Sequence, residues 1–175
     1  MSRPVQSTAA LPIAYATLRI LIVANWLMAV VILALLFALP NEQWIMKAFK
    51  LSPSPDAERV VMGLRVIAVF GLAAIPLHYI VLKRLLAIVE TVRSGDPFVA
   101  ANADRLKAIA WVLFTLQIFS IVIGAIAKAV SSPAHPLHLN AGFSVNGWLA
   151  VLFTFLLARV FAEGALMRED LEGTV

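Results

Sequence analysis

The stretch VRSGDPFVAANADRLK, Val92 to Lys107, is the longest thoroughly polar passage lying between two strongly apolar ones in this 175-residue chain. Its surroundings decide how it is read. Hydrophobic residues make up 62% of the sequence and charged ones 14%, against about 45–50% and about 25% in ordinary soluble domains; the mean hydropathy is +0.92. Four apolar runs carry no charge: Ile20 to Leu39, Val66 to Leu82, Ala108 to Ala127, and a last one that begins near Phe143 and ends at Ala158. A bilayer core takes about 20 apolar residues per helix. The chain therefore reads as an all-α membrane protein, a four-transmembrane-helix bundle, and the polar stretch is the loop between its second and third crossings.

The spans are expected at about 19–39, 60–82, 108–130 and 143–162, within a membrane domain 18–167 that follows a short segment 1–17 and precedes an acidic tail 168–175. The first run is longer than the apolar core of a secretory leader, and FALPNEQW after it offers a poor cleavage site, so it is expected to stay as a helix. Cysteine is absent. No disulfide framework or cysteine metal site can exist.

Orientation follows from lysine and arginine. The loop after span two carries Lys83, Arg84, Arg93, Arg105 and Lys107, whereas residues 131–147 carry none. The positive-inside rule then places residues 83–108 and both termini in the cytoplasm, with Lys47, Lys50 and Arg59 a weaker opposing count. A small inner-membrane protein with a basic inner face accounts for the net charge of +4 without any direct binding of nucleic acid.

KRLLAIVETVRS places Leu85, Leu86, Ile88, Val89 and Val92 at helical spacing, so the second helix is expected to run past the membrane surface. Gly95 suits the left-handed residue that ends a helix. Asp96 is expected to cap the next helix and Pro97 to occupy its first turn. Each arm, from Lys83 to Ser94 and from Pro97 to Ala108, has twelve residues, about 18 Å of helix. On the other face, Ser54 and Pro55 with Asp56 and Glu58 mark the start of the second helix. Pro40, Trp44 and Trp148 read as interface residues, and 42–50, with Met46 and Phe49, as a short helix on the membrane surface.

Three polar side chains fall inside spans: Asn25, His78 and Gln117. Interhelical hydrogen bonding is their expected role, a substrate pathway the alternative. His135 and His138 stand three apart, but Pro136 lies between them and no third ligand is near, so a solvated loop is expected there. Arg65 is expected to snorkel, and Arg159 and Glu163 to pair across one helical turn. There is no Ser-His-Asp order, HExxH, P-loop or GxGxxG. The expectation is a non-enzyme without cofactor or metal. The tail FAEGALMREDLEGTV holds Glu163, Glu169, Asp170 and Glu172 against Arg168, and an acidic segment beside a basic face suggests a partner: the chain's own hairpin, or another protein.

SGDPFVAANADRL in the middle and FSVNGWLAVLFTFLLARVFAEGALMREDLEGTV at the end together resemble the bacterial domain-of-unknown-function family 2975. The likeness rests on Gly95, Pro97, Phe98, Asn102 and Leu106 in the first motif, and on Phe161, Gly164, Leu166, Asp170, Leu171, Thr174 and Val175 in the second. Gly173 lengthens an ending that is often shorter in that family. The resemblance implies four spans and no transferable activity. It also implies that such proteins are often encoded beside a small Cro/CI-type helix-turn-helix regulator. A membrane regulator or sensor that contacts such a cytoplasmic partner is therefore the expected function, through Gly95, Asp96, Pro97, Phe98, Asn102 and Leu106 of the hairpin and Glu169, Asp170, Leu171, Glu172 and Val175 of the tail. The alternatives are a small transporter, channel or immunity-type protein, acting alone or as a homo-oligomer, and a structural subunit of a membrane complex.

Overall fold

The computed structural model describes residues 10–38, 55–131 and 140–172. They form four helices: α1 Ala10–Ala38, α2 Pro55–Arg93, α3 Ala100–Val130 and α4 Val145–Glu172. No strand occurs among the described residues. Each helix contains a stretch long and apolar enough to cross a bilayer, and the protein is a multi-pass membrane protein of the all-α class. Trp44, the 42–50 segment, Pro40, His135 and His138 lie outside the described residues.

Helix α2 has 39 residues, about 58 Å at the helical rise, nearly twice the roughly 30 Å of a hydrocarbon core. It starts at Pro55, where the missing N–H costs nothing, and runs unbroken through the basic KRLLAIVETVR segment. Pro76 sits inside it and removes the donor that would serve the carbonyl four residues earlier. Polar side chains gather at this point. Asn25 of α1 donates from Nδ2 to the Ile75 carbonyl at 3.2 Å, and His78 donates from Nδ1 to the Ala74 carbonyl at 2.8 Å. Asn25 thus bonds between helices as expected, whereas His78 bonds the carbonyl one turn back in its own helix.

The main packings join helices consecutive in the chain: α1 with α2, α2 with α3, and α3 with α4. Burial agrees with that open order. None of the most apolar window of α1 is buried by protein, and only 22% of that of α2, so lipid is the chief solvent of the apolar side chains. Between α1 and α2, Trp26 and Tyr79 have ring centroids 5.6 Å apart. Between α2 and α3, Phe70 meets Phe119 edge-on at 5.2 Å. Between α3 and α4, Phe155 meets Trp111 at 5.4 Å and Trp148 meets Phe114 at 5.5 Å. The buried positions include many small ones, Ala103, Ala110, Ala127, Ala158 and Ala165. Small residues let backbones approach closely where no hydrophobic effect drives helices together.

At the end remote from the Lys/Arg-rich loop, residues 140–144 are tied onto α3. Ser120 Oγ both donates to the Gly142 carbonyl and accepts from the Gly142 N–H, each at 3.1 Å. Gly124 lies flush under this loop, for an added Cβ would stand 2.6 Å from the Ala141 carbonyl oxygen. Ser144 then caps α4, its Oγ accepting the Gly147 N–H at 3.2 Å. Gly124→Ala is expected to lower stability by about 1–3 kcal/mol, because backbone rather than a flexible side chain must move. Gly71→Ala is the control: its Cβ would meet only Ile32 Cδ1, at an ordinary 3.5 Å. Thermal unfolding in detergent should show a lower Tm for the first variant and an unchanged or slightly raised one for the second.

Candidate functional site

The polar stretch between α2 and α3 is ordered by its own hydrogen bonds. Helix α2 closes with two crossing backbone bonds, from the Asp96 N–H to the Thr91 carbonyl at 2.9 Å and from the Gly95 N–H to the Val92 carbonyl at 3.1 Å. This is the Schellman closure, and it needs a left-handed residue. Gly95 supplies it with φ +86°. Nothing lies within 4 Å of an added Cβ there, so backbone conformation, not space, makes glycine the fitting residue. The expected turn is therefore present.

Asn102 locks it. Its side chain is fully buried, 0% exposed, and Nδ2 uses both hydrogens, one to Thr91 Oγ1 at 2.7 Å and one to the Pro97 carbonyl at 2.8 Å. Oδ1 accepts from Arg105 Nη1 at 2.7 Å. Thr91 passes its own hydrogen to the Ile88 carbonyl at 2.7 Å. One amide thus ties the last turn of α2, the loop and the first turns of α3 together. Leu106, one turn further on, is buried.

The start of α3 differs from expectation. The helix begins at Ala100, after an extended Val99 (φ −102°, ψ 142°) with no side-chain cap. Pro97 precedes the helix instead of occupying its first turn, since Asn102 holds the Pro97 carbonyl in the loop. Asp96 does not cap α3; its Oδ1 accepts from Arg168 Nη1 of α4. The tail and the hairpin thus meet through a basic residue of the tail and an acidic one of the turn.

Helix α4 reaches this loop because it does not stop at the end of its apolar run. The residues expected as a separate tail from 168 continue it to Glu172, as GALMREDLE, rich in helix formers after its glycine, favours. Phe161, Gly164 and Arg168, spaced i, i+3, i+7, share one helical face. Phe98 lies across it: its ring centroid is 5.3 Å from that of Phe161, and a Cβ on Gly164 would stand 2.8 Å from Phe98 Cδ1. Ala165 is buried beside them. The Asp96 and Arg168 side chains remain 38% and 44% exposed, so that pair contributes at most about 1 kcal/mol. Ring packing is the stronger fastening.

Two groups of candidate residues emerge. Gly95, Asp96, Pro97, Asn102 and Leu106 build the turn, its ion pair and its packing, while Phe98 is both packed and 44% exposed. Glu169, Asp170 and Leu171 lie exposed on α4, with Leu166 and Met167 also more than half exposed. Glu172 ends the helix, and Val175 and Thr174 lie outside the described residues. Thr91 and Arg105, which complete the Asn102 network, are not conspicuous in sequence, because nothing local distinguishes them from other helical polar residues.

Elsewhere, Arg159 Nε donates to Glu163 Oε1 at 2.7 Å, the expected one-turn pair. Gln117 packs its amide against Gly147 of α4; its Oε1 is buried without a hydrogen-bond partner among the described residues, as is Trp148 Nε1. Among the described residues no three His, Asp or Glu side chains converge as a metal site. A model of the family described as "Protein of unknown function (DUF2975)" matches residues 36–175, which contain α2, α3 and α4 entire. No curated protein and no solved structure matches the chain.

Asn102→Ala should strand the part-buried Pro97 carbonyl and release Arg105, at about 1–3 kcal/mol. Gly95→Val should cost about 1–2 kcal/mol by opposing the left-handed backbone. Ala101→Val, at an exposed position of α3, is the control. Trypsin cleavage after Arg93 in detergent-solubilised protein is expected to be faster for the first two and unchanged for the third.

Proposed function

The chain belongs to the DUF2975 family, and on that premise we propose that it is a non-enzymatic regulator or sensor of the bacterial inner membrane that presents a docking platform to a cytoplasmic protein. In this reading the Lys/Arg-rich end, with both termini, faces the cytoplasm. Five basic residues in 83–107 against none in 131–147 support that orientation. The proposed partner is a small helix-turn-helix regulator, in keeping with the family resemblance.

The observation that carries the reading is the meeting of the two family-like motifs. Phe98 rests on Phe161 and Gly164, and Asp96 pairs with Arg168, so residues more than sixty apart in sequence form one exposed structure at one end of the helices. Its rim offers apolar side chains, Phe98, Leu166, Met167 and Leu171, beside the carboxylates of Glu169 and Asp170. That mixture suits a partner with basic and apolar side chains. Charge steers the encounter and weakens with salt, the Debye length being about 8 Å at physiological ionic strength; the apolar groups hold the complex. Because α4 runs from the bilayer into the platform without a break, a shift of α4 against α3 within the membrane would be felt at Phe98. That coupling is how a membrane signal would reach the partner.

Reporter fusions after Gly95 and after Leu139 test the orientation: cytoplasmic activity is expected for the first and periplasmic activity for the second, and a periplasmic signal at Gly95 overturns it. Recruitment is tested by co-expressing the protein with a helix-turn-helix regulator from the adjacent reading frame and following the regulator's membrane fraction. The fraction should fall for Glu169→Lys with Asp170→Lys, for Met167→Ala with Leu171→Ala, for Phe98→Ala and for truncation after Met167, with membrane insertion unchanged. A regulator that stays soluble with the wild-type chain rules out stable tethering and brings the transporter reading forward.

A further inference from the structure

We propose that the groove between α3 and α4 at their Lys/Arg-rich ends binds one phospholipid with a zwitterionic, primary-amine headgroup, its phosphate on Lys107 and Arg159 and its ammonium on Asp104. This does not depend on the regulator reading, since none of the residues that line the groove belongs to the contact of Phe98 with Phe161 and Gly164.

The groove encloses about 360 Å³. Its floor is made by Ala103, Ala158 and Ala162, whose short side chains leave the space, and its rim by Asp104, Lys107 and Arg159. The level is that of a headgroup: the charge-free run of α3 begins at Ala108, next to Lys107, and that of α4 ends at Ala158, next to Arg159. Asp104 and Lys107 are exposed, and neither has an ion pair among the described residues. Arg159 is paired with Glu163 through Nε, and a guanidinium has five N–H donors, so it keeps donors for a phosphate.

The second observation is a continuation. A second groove of about 450 Å³ shares Phe155 with the first and follows α4 away from the charged end, past Leu152, Trp148 and Val145. Its lining is apolar apart from the indole of Trp148. From Phe155 to Val145 is about 15 Å of helix, half of a roughly 30 Å hydrocarbon core, a length one acyl chain fills. A charged groove at headgroup level that meets, at Phe155, an apolar groove of leaflet depth suits a phospholipid better than a free phosphate or a soluble amine.

Charge selects the headgroup. The groove's lining holds Lys107, Arg159 and Asp104, and Glu163 outside it is paired with Arg159, so the site presents both signs, as a zwitterion does. A primary ammonium donates hydrogen bonds to a carboxylate, and such charge-assisted bonds are among the strong ones; a quaternary choline has no hydrogen to give. An anionic headgroup has a better site at the same end of the molecule, where Arg19 and Arg93 both lie within 5 Å of the Tyr15 ring centroid.

The test is native mass spectrometry of the full chain released from detergent, titrated separately with phosphatidylethanolamine, phosphatidylcholine and phosphatidylglycerol, and with soluble phosphoethanolamine. Phosphatidylethanolamine is expected to bind about tenfold or more tightly than phosphatidylcholine, the worth of one charge-assisted bond. Asp104→Ala should erase that preference. Lys107→Ala should weaken phosphatidylethanolamine about tenfold and leave phosphatidylglycerol at the Arg19/Arg93 patch nearly unchanged. Soluble phosphoethanolamine should not displace the lipid. Equal binding of the ethanolamine and choline lipids by the wild-type chain overturns the proposal, as does insensitivity to both variants. Displacement by the soluble headgroup would make the site one for a free phosphoamine and overturn the lipid.

Discussion

The amide of Asn102 is the interaction on which the Lys/Arg-rich end depends. A buried carboxamide without partners costs several kcal/mol, roughly 2–7, and here both N–H groups and the oxygen are bonded. Its partners come from three places: the last turn of α2, the loop, and α3. Satisfying the amide therefore sets the distance and rotation between two long helices at their projecting ends. Gly95 makes the turn sterically accessible, but its left-handed backbone would close many different hairpins; the amide chooses this one. With the loop set, Phe98 has a fixed position, and only then does Gly164 of α4 matter, since the ring occupies the space a Cβ would need.

The rest of the molecule is held more loosely by protein and more by its solvent. Helices packed in chain order leave α1 and α4 each with a broad lipid-facing surface, and the absence of burial in the most apolar window of α1 would be untenable in water. In a bilayer it carries little cost, because acyl chains are as apolar as the side chains they touch. What must be satisfied internally is the polar backbone. At the 140–144 loop this is done by Ser120, which holds both backbone groups of Gly142, and near Pro76 Asn25 and His78 add side-chain bonds to the Ile75 and Ala74 carbonyls.

Two faces of α4 then carry different duties. The face of Phe161, Gly164 and Arg168 engages the turn, and the neighbouring face of Phe155, Ala158 and Ala162 leaves a groove open toward lipid. A single rigid helix thus links bilayer-facing space to the exposed platform. Under the proposed function, whatever occupies the groove and whatever docks on the platform act on the same body, and a change in one is transmitted without a hinge.

Composition and spacing alone determined the class of protein, the number of crossings, the extension of α2 beyond the membrane, the glycine turn at Gly95 and the Arg159–Glu163 pair, because each rests on local chemistry: apolar run length, backbone permissiveness, or neighbours one turn apart. Family likeness pointed to Phe98, Asn102 and Gly164, the first two as candidates for contact with a partner, without giving them structural roles. The tertiary structure decided the roles, since each needs a partner distant in the chain. Asn102 requires Thr91, Phe98 requires Gly164, and Asp96, which reads locally as a helix cap, is taken by Arg168 from seventy-two residues away. Local preference for a cap is worth about 1 kcal/mol, small enough for such a contact, together with the packing of Phe98 on α4, to outweigh it.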